Sequence, residues 1–130
     1  MLFSIATHAQ AGRLKKGFEA LEIHDYFKAK HVFYKSLKKD SAAAAYGLSA
    51  IYARNNNPFY SLDSALLYIK IAASTYPKLK SQKKKIRYAS FKVDSLSIMK
   101  QRANIDEKCF AAAQSENTIN GYNRFINKNK

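Results

Sequence analysis

The chain is poor in residues that break helices, because its 130 residues include only 4 glycines and 2 prolines. This scarcity excludes collagen-like and Pro/Gly-rich disordered chains, and it favours long helical segments. With 47% hydrophobic residues, the chain is of a length and composition that predict a single globular domain. No window alternates β-branched and polar residues over the length of a strand, so the predicted fold class is all-α.

The groups that most enzymes and metal sites require are also scarce. The one cysteine, Cys109, can form neither an internal disulfide nor a multi-thiolate zinc site, and we interpret it as a small buried residue. The three histidines, His8, His24 and His31, offer little: His24 and His31 are seven positions apart, or two helical turns, but the helix break at Asp25 argues against a shared metal-binding face. No His-Glu-x-x-His motif, glycine-rich phosphate loop or nucleophile elbow occurs. We therefore predict that the protein is not an enzyme and has no catalytic residues, cofactor or metal.

Acidic residues are few, and 9 Asp and Glu against 23 Lys and Arg give a formal net charge of +14. Such an excess of positive charge favours an anionic partner. The densest basic run consists of Lys78, Lys80, Lys83, Lys84, Lys85 and Arg87. Two interpretations stay open: a solvated charged face, or a patch that binds a polyanion.

Long apolar runs are missing, and none approaches the roughly 18 to 20 residues of a membrane-spanning helix. The first eleven residues, MLFSIATHAQA, join a short apolar run to the small-x-small pattern that ends a secretory signal. The basic start of such a signal is missing. Residues 1–11 are therefore either a truncated signal peptide or the plain start of a helix, and the domain spans 12–130. Export predicts a periplasmic or cell-envelope protein, and the alternative is a cytoplasmic one.

Apolar residues that recur every three or four positions predict about six to seven helices. Their expected spans are about 13–23, 26–39, 42–54, 62–76, 81–88, 94–115 and a last helix from 119. Asp40 or Ser41, Ser61, and Asp94 or Ser95 are suitable N-caps. The sixth helix is predicted to face inward through Leu96, Met99, Ala103, Phe110 and Ala113. The pattern therefore indicates a chain of helical hairpins.

Two of these hairpins align with one another. Gly17-Phe18-Glu19-Ala20-Leu21 matches Gly47-Leu48-Ser49-Ala50-Ile51, and Ala29 and Ala65 are 36 positions apart. A small residue where helices cross, followed by a large one a turn later, is what close helix packing requires. A looser third unit places Cys109 on its first helix and Gly121, Tyr122 and Phe125 on its second.

This pattern resembles the tetratricopeptide repeat family, whose unit has about 34 residues. The phrases AAAAYGLSAIYARNNNPFYSLDSA and FAAAQSENTINGYNRFI are similar to tetratricopeptide-like proteins exported by Bacteroidetes-type bacteria. Lys16 replaces a large apolar residue of the family pattern, His24 replaces its turn glycine, and no tryptophan occurs. These departures affect the repeat boundaries more than the hairpins.

The resemblance implies a non-catalytic scaffold of stacked antiparallel hairpins that holds another protein or a peptide in a groove lined by the first helix of each pair. The groove residues expected on this basis are Lys15, Glu19, Glu22, Ser49, Tyr52 and Arg54. Phe59 and Tyr60, in the loop after Pro58, are further candidates for partner contact.

A second function stays open beside the scaffold. The run from Lys78 to Arg87 predicts, as the alternative, a basic helical protein that binds nucleic acid. Because the last predicted helix lacks a partner helix, the chain is also a candidate for the N-terminal part of a longer protein. The sequence does not identify the partner or the oligomeric state.

Overall fold

The computed structural model describes the backbone of residues 2–116 and 119–129 and the side chains of residues 12–116 and 123–129. These residues form an all-α structure without a strand, as predicted. Its helices are α1 (Leu2–Glu22), α2 (Tyr26–Ser36), α3 (Ser41–Ala53), α4 (Leu62–Thr75), α5 (Gln82–Ser90), α6 (Ser95–Glu116) and α7 (Ile119–Lys128). A single 3-10 turn, Tyr76–Lys78, follows α4. None of the described helices combines the length and apolarity needed to cross a bilayer.

Helix ends follow local capping chemistry. Side-chain oxygens of Asp25, Ser61, Ser81 and Asp94 accept hydrogen bonds from backbone N–H groups three residues later, which satisfies donors that the first helical turn leaves free. The predicted cap at Ser61 is confirmed. His24 adopts φ 63° in the turn between α1 and α2, a left-handed conformation that fits its place as a substitute for glycine.

Two helix boundaries differ from the prediction. α1 begins at Leu2 instead of about residue 13, since nothing before Gly12 breaks the helix. α2 ends at Ser36 instead of Lys39, where the Asp40 N–H donates to the Ser36 carbonyl and the Ser41 hydroxyl donates to the Leu37 carbonyl. The predicted turn at residues 117–118 lies outside the described residues.

Consecutive helices pack as antiparallel pairs. α1 packs against α2, α3 against α4, and α6 against α7, while α2–α3 and α4–α6 contacts join one pair to the next. Ala29 and Ala65, the small residues of the second helices, are both fully buried. Thus the small residues predicted to let helices approach do lie at packed helix surfaces.

Phe33 of α2 lies where three helices meet. Its ring is fully buried, and glycines of α1 and α3 face it. A Cβ added to Gly17 would lie 2.8 Å from Cε1 of Phe33, and one added to Gly47 would lie 2.5 Å from Cε2. These two glycines are the equivalent positions of the aligned hairpins, and both leave the space that the ring of Phe33 fills.

The central helix α3 is surrounded, since it contacts α1, α2, α4 and α6. Eleven of its thirteen residues are buried, so burial extends around nearly the whole helix and is not confined to one stripe. On α6 the predicted face is wrong: Leu96, Met99, Ala103 and Phe110 are exposed. The buried residues of α6 are Ile98, Ile105, Cys109 and Ala113. Of the predicted face, only Ala113 points into the core.

Candidate ligand-binding groove

A groove of about 1070 Å³ lies between the first helices of the pairs. α1 lines it with Gly12, Lys15, Phe18, Glu19, Leu21 and Glu22, and α3 lines it with Tyr46, Ala50 and Ala53, followed by Arg54. It is also lined by Arg87 and Ser90 of α5, by Phe91 and Lys92 after it, and by Gln101, Asn104 and Lys108 of α6. We call this feature the groove. Its volume is at the upper end of the usual range for small-molecule sites, roughly 300–1,000 Å³.

Two cations of the groove are held at helix carboxyl ends. The Arg54 guanidinium donates to the Leu21 carbonyl at 3.3 Å, and Lys108 Nζ donates to the Ala53 carbonyl at 2.9 Å. These carbonyls belong to the last turns of α1 and α3, where the helix dipole is negative and favours a cation. The two charges therefore have fixed places beside the groove.

The groove has a positive balance of charge. Lys15, Arg54, Arg87, Lys92 and Lys108 line it, against the carboxylates of Glu19 and Glu22. Lys15 and Glu19 form an exposed i,i+4 ion pair at 3.8 Å, a contact of small net energy in water. Arg87 is neutralised by the buried carboxylate of Asp40, which is not part of the groove lining. Even without Arg87, cations outnumber anions in the groove, which favours an anionic ligand.

Aromatic rings form the wall near α5. Phe18 of α1 stacks on Phe91 with ring centroids 5.0 Å apart, and Tyr46 of α3, which is half-buried, also lines the groove. Burial raises the pKa of the Tyr46 phenol, and the nearby Asp94 carboxylate raises it further. Tyr46 therefore offers a neutral hydroxyl, able to donate or accept a hydrogen bond, next to an apolar surface.

Four of the six predicted groove residues, Lys15, Glu19, Glu22 and Arg54, do line the groove. The other two do not. Ser49 is fully buried and donates to the Tyr46 carbonyl at 2.6 Å, and Tyr52 is only 8% exposed, with its hydroxyl 2.6 Å from that of Tyr34. The expectation that they face the groove is wrong, because both side chains are buried, and Tyr52 packs against Tyr34 of α2 and Tyr68 of α4.

The two aromatics of the loop after Pro58 lie away from the groove. The Phe59 ring is half-buried, with Phe27 packed edge-on at 4.9 Å and Lys30 Nζ 4.2 Å from its centroid. Tyr60 is exposed and borders a second cleft of about 590 Å³. Sequence reasoning missed Phe27, whose side chain is 69% exposed. Its position in the sequence of α2 does not indicate a contact, and only the folded chain brings it against Phe59.

The predicted basic patch is on the surface around α5, but not all of its charges are free. Lys78, Lys80 and Lys83 are exposed, and Lys84 and Lys85 are half-exposed. Arg87 instead donates to the Asp40 carboxylate at 2.5 Å. The patch therefore presents lysines, and its arginine has a structural role.

The described residues contain no group of three or more His, Cys, Asp and Glu side chains placed to hold a metal ion. His24 stacks on Tyr26, and His31 is exposed on α2. Cys109 is buried as predicted, and burial raises the pKa of its thiol, which disfavours the reactive thiolate. Sequence reasoning missed several residues of the groove, because they come from segments that only the folded chain brings together. These residues are Phe18, Phe91, Lys92, Gln101, Asn104 and Lys108.

Comparison with known proteins found no matching family model, no matching curated protein and no matching solved structure.

Proposed function

We propose that the protein is a non-catalytic interaction module that holds an extended, net-acidic segment of another protein in the groove. The observation that carries this proposal is the pair of cations, Arg54 and Lys108, anchored on backbone carbonyls beside an open cavity. Anchored charges are organised before the ligand arrives, so less side-chain freedom is lost on binding.

The shape of the groove supports a peptide ligand. It is open, residues of four helices line it, and its lining combines aromatic rings with the amides of Gln101 and Asn104. Amide side chains can both donate to and accept from an extended backbone, while Phe18 and Phe91 offer apolar surface to a side chain. This mixture suits a peptide better than a uniformly apolar small molecule.

The order of the helices supports the resemblance to tetratricopeptide repeats. α1 contacts α3 and α3 contacts α6, so the first helices of successive pairs lie side by side along the groove. Membership of that family, export, and residence in the periplasm or cell envelope stay predictions from the sequence.

Selection of peptides from a random 12-residue display library on the whole chain tests the proposal. Ala50, which lines the groove, offers a blocking variant, Ala50→Trp. Leu67, exposed on α4, offers a control of similar size, Leu67→Trp. We expect enrichment of acidic peptides, and a loss of affinity of about tenfold or more in Ala50→Trp but not in Leu67→Trp.

Both variants are first checked for unchanged helical circular dichroism and thermal midpoint. If Ala50→Trp loses its fold, Arg54→Gln combined with Lys108→Gln replaces it, because these changes remove charge without adding bulk. Failure to enrich any peptide, or equal binding by the blocked and control variants, contradicts the proposal.

A further inference from the structure

Two lysine-rich segments that are far apart in the sequence meet on one surface of the fold. Lys84 Nζ of α5 donates to the Lys39 carbonyl at 2.7 Å. Next to this contact, Arg87 Nη2 and the Tyr88 hydroxyl donate to one oxygen of Asp40, at 2.5 and 2.6 Å. These bonds hold α5 against the corner between α2 and α3. We call the surface formed by residues 35–40 and 78–90 the basic surface.

The basic surface has almost no negative charge. The two segments contain nine Lys and Arg and a single carboxylate, Asp40. Asp40 is 4% exposed and is already bonded to Arg87 and Tyr88. Eight lysines therefore remain without a carboxylate from either segment, and all of them are exposed or half-exposed. Such a field of one sign attracts a polyanion, and mutual repulsion of the lysines is relieved when one binds.

We propose that the basic surface binds the phosphate backbone of nucleic acid without selecting bases. Lysine is a flexible point charge, suited to phosphate oxygens, whereas base edges are read mainly by planar forks such as arginine. The one arginine of the surface, Arg87, is engaged by Asp40. The lysines of the basic surface can therefore contact phosphates, but the surface offers no free guanidinium to read base edges.

The aromatic residues of α5 and the link after it support the same conclusion. Tyr88 is fully buried, and the Phe91 ring stacks on Phe18. Stacking on exposed rings is the usual source of preference for single strands. Because these rings are occupied by packing, we expect a double strand to bind at least as well as a single strand.

A nucleic acid fits this surface better than an anionic membrane does. A helix that lies on a membrane inserts an apolar face below its basic residues. α5 exposes one large apolar side chain, Ile86, among nine residues. The proposed interaction depends on the lysines of the basic surface, none of which lines the groove. Of the two locations left open by the N-terminal sequence, the cytoplasm is the one that provides this partner.

Fluorescence anisotropy of a labelled 20-base-pair DNA duplex of mixed sequence, titrated with the whole chain, measures the interaction. With about five phosphate contacts, the affinity should fall about 500-fold between 50 and 200 mM salt. A second duplex of unrelated sequence should bind equally well, and a 20-nucleotide single strand no better.

Paired variants locate the surface. Lys38→Gln/Lys39→Gln and Lys83→Gln/Lys85→Gln each remove two charges, one pair from each segment, and each should weaken binding at least about tenfold and make the salt slope shallower by about 2. Lys28→Gln/Lys100→Gln removes the same charge from exposed positions outside the basic surface and should change affinity less than threefold. Circular dichroism checks that all three variants keep their helices.

Three outcomes overturn the proposal. One is the absence of binding at 50 mM salt. Another is an equal loss in the control variant, which would show that only net charge matters. The third is binding to phosphatidylglycerol vesicles without binding to the duplex, which would assign the surface to a membrane. Because the peptide assay uses the groove and this assay uses the basic surface, either proposal can fail alone.

Discussion

Replacing Gly47 by alanine places a methyl group where α3 meets the ring of Phe33. The added Cβ would lie 2.5 Å from Cε2 and 2.7 Å from Cε1 of that ring, whereas ordinary contact begins at 3.4 Å. The ring is fully buried, and α1 approaches its other side at Gly17. Phe33 therefore cannot withdraw without moving a second helix.

The expected effect is a net loss of stability. Overpacking a tight core costs about 1–3 kcal/mol, and we take the upper end because Phe33 is held on two sides. Alanine offsets about 1 kcal/mol of this through its better helix propensity. The free energy of unfolding should fall by about 2 kcal/mol, and the thermal midpoint of a domain of this size by about 7 °C.

Urea unfolding followed by circular dichroism at 222 nm measures this change, and the chain contains its own controls. A Cβ at Gly12 meets nothing within 4 Å, so Gly12→Ala should stabilise α1 by up to about 1 kcal/mol. Gly17→Ala should lie between the other two. Phe33→Leu removes ring atoms, and in that background Gly47→Ala should lose most of its effect.

If Gly47→Ala proves as stable as Gly12→Ala, or if Phe33→Leu leaves its effect unchanged, the close approach of α3 to Phe33 does not contribute to stability as we infer.

The remaining predictions concern a buried ion pair and a tyrosine. Asp40→Ala leaves the Tyr88 hydroxyl and the Arg87 guanidinium without their acceptor and should lower the free energy of unfolding by about 3 kcal/mol in urea titrations. Asp63→Ala, which removes a carboxylate that is 71% exposed, should cost no more than about 1 kcal/mol, and equal losses would contradict the assigned role of Asp40. Burial, and a hydrogen bond to a neighbouring tyrosine, raise the pKa of Tyr68 to about 12. Since its folded pKa is above the unfolded value of 10.0, its stabilising effect is present below pH 10.0 and is lost as the pH rises towards about 12. In pH titrations followed by absorbance at 295 nm, Tyr68→Phe should lack a step near pH 12 that the unchanged protein shows. If the step that disappears lies near pH 10 instead, the raised pKa of Tyr68 is refuted.

Local chemistry made the helices predictable. A serine or aspartate before an apolar stripe accepts the free N–H groups of the first turn, and this is a contact between residues three apart, as at Ser61. In α2, Ala29, Val32, Phe33 and Ser36 recur at helical spacing, and all four are buried. The glycines opposite Phe33 were also visible as equivalent positions of two aligned hairpins.

The inward face of α6 was not predictable. Apolar residues occur around much of this helix, so Leu96 and Met99 fit a helical stripe as well as Ile98 and Ile105 do. Only the contacts of α6 with α4 and α7 choose between the two faces. α3 illustrates the same limit, because a helix surrounded by four others buries Ser49 and Tyr52 as well as its apolar stripe.

By itself, then, the sequence determined which segments are helical, most of their boundaries and which small residues allow them to approach, because those features depend mainly on neighbours along the chain. The tertiary structure alone decided which surfaces exist. The Lys84 side chain bonds to the Lys39 carbonyl, and the Asp40 side chain accepts from Arg87 instead of from the first turn of α3. Arg54 and Lys108 reach one groove from distant parts of the sequence. Each of these contacts joins residues more than 40 positions apart or depends on a third helix, and no local pattern encodes such distances.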